Sequence, residues 1–174
     1  PNETIMRSVS AIDNRIYTGC YMEFGYWEKD NVGILQYTSI SESLTENLIE
    51  DEEFWNILGI DHWVVFQSLN RLYIYNVISQ SINIVNSEEL LVKMFNVNGS
   101  IYFQRLGKGI FKIEDGEDSL IIDSDVFKTD EVVNIFSNNS GLLIITRNNG
   151  FYTFIKGQLE KINSKDDELS KFSI

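Results

Sequence analysis

The sequence predicts an all-β protein, a set of about four β-propeller blades, each a four-stranded antiparallel meander. Three observations carry that prediction. A residue pair ending in an aromatic recurs as Gly25-Tyr26, Leu72-Tyr73, Ile110-Phe111 and Phe151-Tyr152, at aromatic-to-aromatic intervals of 47, 38 and 41 residues. The same succession of short apolar segments surrounds every copy. Helical periodicity is weak, apart from the connector Ser41 to Glu53 and the polar tail from Ser164. Four short strands repeated every ~40 residues is the pattern of a blade.

Each unit opens on an apolar stretch: Ile5 to Ile12, Phe54 to Ile60, Leu90 to Val97, and Val132 to Phe136. A second strand follows, rich in β-branched and aromatic residues: Arg15 to Cys20, Trp63 to Ser68, Ser100 to Arg105, and Leu142 to Arg147. The third strand carries the aromatic pair. A last short segment closes the unit, as Ser81 to Val85 or Leu120 to Asp123. Corners at Asp13-Asn14, Asn98-Gly99, Asp115-Gly116 and Asn139-Ser140-Gly141 supply tight turns. The single proline is Pro1, so no ladder is interrupted.

The expected organisation is one propeller segment over 1–163, with blades near 4–40, 54–86, 90–123 and 131–163. An acidic connector occupies 41–53 and a polar tail 164–174. The competing reading is a β-sandwich with coincidental spacing. Four blades is the low end of the usual range of roughly four to eight. An incomplete set from a larger ring is therefore expected, with cut strand edges that invite another copy.

The net charge of -12, with 43% hydrophobic and 13% aromatic residues, describes an acidic folded domain. A deficit of Lys and Arg argues against nucleic acid and against an anionic membrane surface. No apolar run is long enough to span a bilayer. Cys20 stands alone, which removes an internal disulfide and a thiolate metal cage. The chain opens on Pro1-Asn2-Glu3, and is expected to be a segment of something longer.

The strings IYTGCYMEFGYW (Ile16 to Trp27), DEEFWNIL (Asp51 to Leu58) and WVVFQSLNRLYIYN (Trp63 to Asn76) resemble the regulator-propeller repeat. That repeat forms the sensor region of bacterial hybrid two-component kinases and of membrane-anchored helix-turn-helix regulators. The first unit keeps the small residue of the repeat's strand end, as Gly19; the others have Gln67, Gln104 and Thr146. The resemblance implies a periplasmic sensor of about seven blades, a further β domain, a membrane span and a cytoplasmic output. It also implies a carbohydrate ligand, and a dimeric receptor whose arrangements ligand binding would shift. It carries over no site residue.

No constellation for catalysis emerges, and no cofactor or metal is expected. His62, the only histidine, reads as a turn or strand-edge residue and not as a catalytic base. Asp123-Ser124-Asp125 lacks the glycine and distant glutamate of a calcium loop. Gly107-Lys108-Gly109 lacks the spacing of a phosphate loop. A carboxylate pair for glycoside hydrolysis stays open among 26 acids, so a propeller lyase or glycosidase remains the third reading.

If the first strand of each blade is innermost, the loop between strands two and three shares a rim with the connector to the next blade. Those loops are Tyr21 to Phe24, Leu69 to Arg71, Leu106 to Lys108, and Asn148-Asn149. Arg71, Arg105, Lys108 and Arg147 lie in or beside them, and are expected to engage an anionic or hydroxyl-rich ligand through guanidinium forks. Tyr21, Phe24 and Trp27 would add aromatic faces. The plainer alternative is that turns are polar and these charges are solvated. The connector carries Glu42, Glu46, Glu50, Asp51, Glu52 and Glu53 and no cation. It is expected to be solvated and partly helical, or to cover the rim. The first functional expectation is a non-catalytic ligand sensor; the second is a protein-interaction scaffold.

Overall fold

The computed structural model describes residues 4–44, 48–138 and 141–162. Sixteen strands among them form four separate antiparallel sheets, each a meander in chain order. Sheet 1 comprises β1 (Met6–Ile12), β2 (Arg15–Cys20), β3 (Phe24–Lys29) and β4 (Leu35–Ser39). Sheet 2 comprises β5 (Asn56–Ile60), β6 (Trp63–Gln67), β7 (Arg71–Asn76) and β8 (Ile82–Asn86). Sheet 3 comprises β9 (Leu91–Val97), β10 (Ser100–Arg105), β11 (Gly109–Glu114) and β12 (Glu117–Ile122). Sheet 4 comprises β13 (Val132–Asn138), β14 (Gly141–Thr146), β15 (Gly150–Ile155) and β16 (Gln158–Lys161). This is the all-β, blade-like architecture that the sequence predicts.

Turn chemistry explains the meanders. Asn98-Gly99 has φ of 50° and 69°, and Asp115-Gly116 has 51° and 80°. Two successive left-handed residues are what a two-residue hairpin turn needs if its twist is to match that of the strands. Lys156-Gly157 does the same at 50° and 81°. Of the predicted corner Asn139-Ser140-Gly141, residues 139–140 lie outside the described residues.

The chain divides into two compact units, 1–86 and 87–174. In the first, the forward face of sheet 1 packs on the rear face of sheet 2. Tyr17 meets Phe66 at 6.0 Å, and Phe24 sits 4.7 Å from Phe54, 4.5 Å from Phe66 and 5.1 Å from Tyr73. Full burial of each such ring is worth ~2–3 kcal/mol. Gly19 permits this approach: a Cβ there would lie 2.7 Å from Phe54 Cβ and 2.5 Å from Ser8 Oγ. In the second unit the forward face of sheet 3 (Phe95, Val97, Ile110, Ile122) packs on the rear face of sheet 4 (Ile135, Leu142, Ile144, Tyr152).

The repeat differs by one residue from the alignment of the aromatic pairs. Tyr26 opposes Tyr17 on the forward face of sheet 1, whereas Tyr73 opposes Phe66 on the rear face of sheet 2. Similarly, Thr146 matches Ser68 and not Gln67. Thr146 Oγ1 accepts the Asn149 N–H at 3.1 Å, as Ser68 Oγ accepts that of Arg71 at 3.1 Å. Side chains alternate with period two, so a one-residue offset moves a residue to the other face.

Among the described residues, helix lies elsewhere than expected. Of the connector 41–53, the described residues form one 3-10 turn, Ser41–Ser43, and positions 45–47 lie outside them. The tail from Ser164 also lies outside them. A short helix the sequence did not announce, α1 (Asp125–Thr129), forms between sheets 3 and 4. Ser124 precedes it without a side-chain cap. What holds it is Phe127, fully buried and 5.6 Å from Tyr152. Lys128 pairs with Asp123 at 2.6 Å and Asp125 at 3.5 Å, so these acids hold an ammonium group.

Candidate functional site

Within each unit, the connector between two sheets docks on the loops between their second and third strands. In the first unit the β2–β3 loop meets the connector directly: Met22 N–H donates to the Glu52 carbonyl at 2.8 Å, and Tyr21 bridges Glu53. Met22 and Asp51 hold left-handed backbone, with φ of 56° and 58°. That pair of bends turns the Glu52 side chain inward. Its carboxylate accepts the Ser68 hydroxyl at 2.6 Å, the Tyr73 hydroxyl at 2.8 Å and the Ile49 N–H at 2.9 Å. Glu52 is 5% exposed, so at this position the connector covers the rim, while Glu42, Glu50 and Asp51 stay exposed. Burial pushes the Tyr73 hydroxyl pKa up, and the adjacent Glu52 adds to the rise.

The second unit repeats the device with different residues. Asp130, 2% exposed, accepts the backbone and side-chain N–H groups of Asn148 and Asn149 at 2.8–3.0 Å. Burial alone would raise its pKa. The bonds from Asn148, Thr146 and Asn149 outweigh burial and hold it below the usual carboxylate range. Gln104 completes the seat. Its Nε2 donates to the Phe127 and Asp130 carbonyls, both at 2.7 Å, and its Oε1 accepts the Val132 N–H at 2.7 Å. The connector and the second-to-third loops therefore share a rim in both units, through buried acids that composition had marked as surface charge.

The predicted ligand residues divide between the units. In the first, Tyr21 is exposed at the loop, and its hydroxyl donates to Asp51. Arg71 is half-buried and donates to the Tyr73 hydroxyl at 3.1 Å. Phe24 has no exposed surface; the core takes its ring, so it offers no face to a ligand. Trp27 lies in mid-strand, its ring 5.1 Å from that of Tyr37 and tilted by 49°, away from the loop. In the second unit, Arg105 lies 4.3 Å over Phe111 and pairs with Asp118 at 2.9 Å, along the sheet and not at the loop. Lys108 pairs with Glu89 at 3.2 Å and Arg147 with Glu131 at 2.6 Å, each tying a loop to its connector. Lys108 and Arg147 are thus engaged by acids of their own rim.

Trp55, which the sequence reads with Trp27 and Trp63 as a blade-packing residue more than a sugar platform, lies at this rim. It is 47% exposed at the end of the connector, with the Arg7 guanidinium 5.1 Å from its ring centre. Arg7 also donates to Glu53 at 2.9 Å, supplying the cation the connector lacks. Trp55, Leu69 and Asn70 border a depression of about 130 Å³ with Glu50, Asp51 and Glu53. The signal was present, an aromatic directly after an acidic run, but two other tryptophans read alike. A wider depression of about 380 Å³ lies at the other strand ends of the second unit, beside Asn98, Tyr102, Phe154 and Lys156. Among the described residues no cluster of His, Cys, Asp and Glu could hold a metal ion. His62 sits in a turn, its ring 5.0 Å from Trp63.

No protein-family model matches the chain, and no curated protein is similar to it in sequence. Solved structures match it along most of its length. Apo AztD from Citrobacter koseri aligns over 90% of this chain and 46% of that one, with TM-score 0.64 and 8% identity. The WD40 domain of Pan2 from Neurospora crassa aligns over 91% and 49%, with TM-score 0.59 and 14% identity. BamB from Moraxella catarrhalis aligns over 92% and 51%, with TM-score 0.61 and 11% identity. At such identities the likeness shows fold alone. The chain spans about half the length of these structures, and its four antiparallel sheets are β-propeller blades.

Proposed function

We propose that this chain is a non-catalytic ligand-binding part of an extracytoplasmic β-propeller sensor in a bacterial signalling or transcription-regulating protein, and that its ligand is a carbohydrate. The observation that carries the reading is the rim of the first unit. There the exposed Trp55 ring borders the same depression as Glu50, Asp51 and Asn70. An aromatic face takes the C–H side of a sugar ring, while carboxylates and an amide receive its hydroxyls. The acidic lining favours a neutral, hydroxyl-rich ligand over an anionic one. The regulator-propeller resemblance of Ile16 to Trp27 and Trp63 to Asn76 supports the periplasmic location, the membrane-anchored parent and its output domain. Such a receptor signals only if the ligand binds one arrangement more tightly than another.

A glycan array followed by calorimetry tests this, using the wild type and Trp55→Ala. Saturable binding weakened more than tenfold in the variant is expected. An unchanged affinity would remove the site, and turnover of the bound glycan would make the chain an enzyme. The second reading, a protein-interaction scaffold, is favoured by the size of the depression. About 130 Å³ is below the roughly 300–1,000 Å³ of ordinary small-molecule pockets. Silence on the array, with a protein partner lost on Trp55→Ala, would select it.

A further inference from the structure

The wider depression of the second unit lies at the strand ends opposite the rim, and its volume of about 380 Å³ falls within the roughly 300–1,000 Å³ of ordinary small-molecule sites. It opens where the core shared by sheets 3 and 4 ends. Sheet 3 contributes Val97, Ser100 and Tyr102, and sheet 4 contributes Leu142 and Phe154. Lys156, exposed in the β15–β16 turn, completes the lining. Its φ is 50°, and the matching turns of sheet 3 place Asn98 and Asp115 there, at 50° and 51°. Asn and Asp tolerate left-handed backbone better than Lys, so turn chemistry does not account for the lysine.

Charge selects the occupant. The chain has 26 acids against 14 Lys and Arg, yet among the described residues no acid lines this depression, and Lys156 is its one charged group. The depression of the first unit is the reverse, lined by Glu50, Asp51, Glu52 and Glu53. At the rim, Lys108 and Arg147 are taken by Glu89 and Glu131. Among the described residues Lys156 has no such ion pair, and the hydroxyls of Ser100 and Tyr102 make no hydrogen bond within the protein. An ammonium and two hydroxyls can donate to a carboxylate, while the Tyr102 and Phe154 rings offer apolar faces to a flat body. We propose that this crevice is a second ligand site, and that it takes a small aromatic carboxylate, its ring against Tyr102 and Phe154 and its carboxylate on the Lys156 ammonium. This inference is independent of the carbohydrate reading, which concerns the first unit.

Titration of the 174-residue chain with phenylacetate, followed by calorimetry and by amide NMR shifts, tests it. Phenylacetamide, which has the same shape without the charge, is the control ligand, and Lys156→Gln the variant. Lys156 is exposed in a turn, so circular dichroism is expected to show native strand content in the variant. Saturable binding of the acid is expected, with the shifts centred on Tyr102, Phe154 and Lys156. The uncharged control should bind about tenfold more weakly, and Lys156→Gln should weaken the acid by about tenfold, since each removes one charge-assisted bond. No saturation by phenylacetate, equal affinities for acid and control, or a variant that binds the acid as the wild type does would each overturn the inference. So would saturable binding whose shifts gather at Trp55 and not at Lys156.

Discussion

Replacing Asp130 by Ala deletes the acceptor that binds the Asn148–Asn149 loop to the connector. Four N–H groups lose their partner: two backbone groups at 3.0 and 2.8 Å, and two side-chain amides at 2.9 Å. Each charge-assisted bond is worth ~1.5–3 kcal/mol net. The two asparagines are exposed, so water recovers most of what the amides lose. The expected cost is therefore that of the two backbone bonds, about 3 kcal/mol, or ~6–12 °C in melting temperature for a chain of this size. Asp130→Asn keeps the shape but loses the charge, and should cost ~1–2 kcal/mol. The folded pKa lies below the ordinary value of 3.8, so the unfolded state binds more protons in that window and stability rises with pH there. The gap between wild type and Asp130→Asn should be full above that value and close as the pH falls through the depressed pKa. Denaturant unfolding followed by circular dichroism at pH 7 and below pH 3.8 measures both effects. An Asp130→Ala variant within ~0.5 kcal/mol of the wild type, or a gap independent of pH, would refute the reasoning.

Gln104→Ala should cost ~2–4 kcal/mol, since it strands the buried Phe127 and Asp130 carbonyls and the Val132 N–H. Amide exchange at Val132 should quicken with it, and a thermal melt together with exchange mass spectrometry checks both. Gly19→Ala should destabilise the first unit by ~2–3 kcal/mol, because its methyl meets Phe54 Cβ at 2.7 Å and the Phe54 carbonyl oxygen at 2.9 Å. Near-ultraviolet circular dichroism of the aromatic cluster reports that change directly.

Strand positions and tight corners were legible because they depend on residues a few positions apart. RIYTGC at β2 is rich in β-branched and aromatic residues, and Asn98-Gly99 can hold two left-handed residues wherever it occurs. The rim was only partly legible. Its location followed from strand order, but its chemistry did not. Lys108 and Arg147 look like ligand cations until Glu89 and Glu131 are placed beside them, and Phe24 looks like an aromatic platform until Phe54, Phe66 and Tyr73 surround it.

Alone, the amino-acid order determined four meanders, their approximate limits and the edge on which their loops gather. Only the tertiary structure decided which face each aromatic occupies, and which of many acids are buried. Glu52 meets Ser68 and Tyr73 across 16 and 21 residues, and Asp130 meets Asn148 and Asn149 across 18 and 19. A carboxylate's surroundings are set by chain segments that far apart, and a shift of one position exchanges the faces of a strand. Local pattern therefore reads the blades, while the burial of a charge is known only once they are packed.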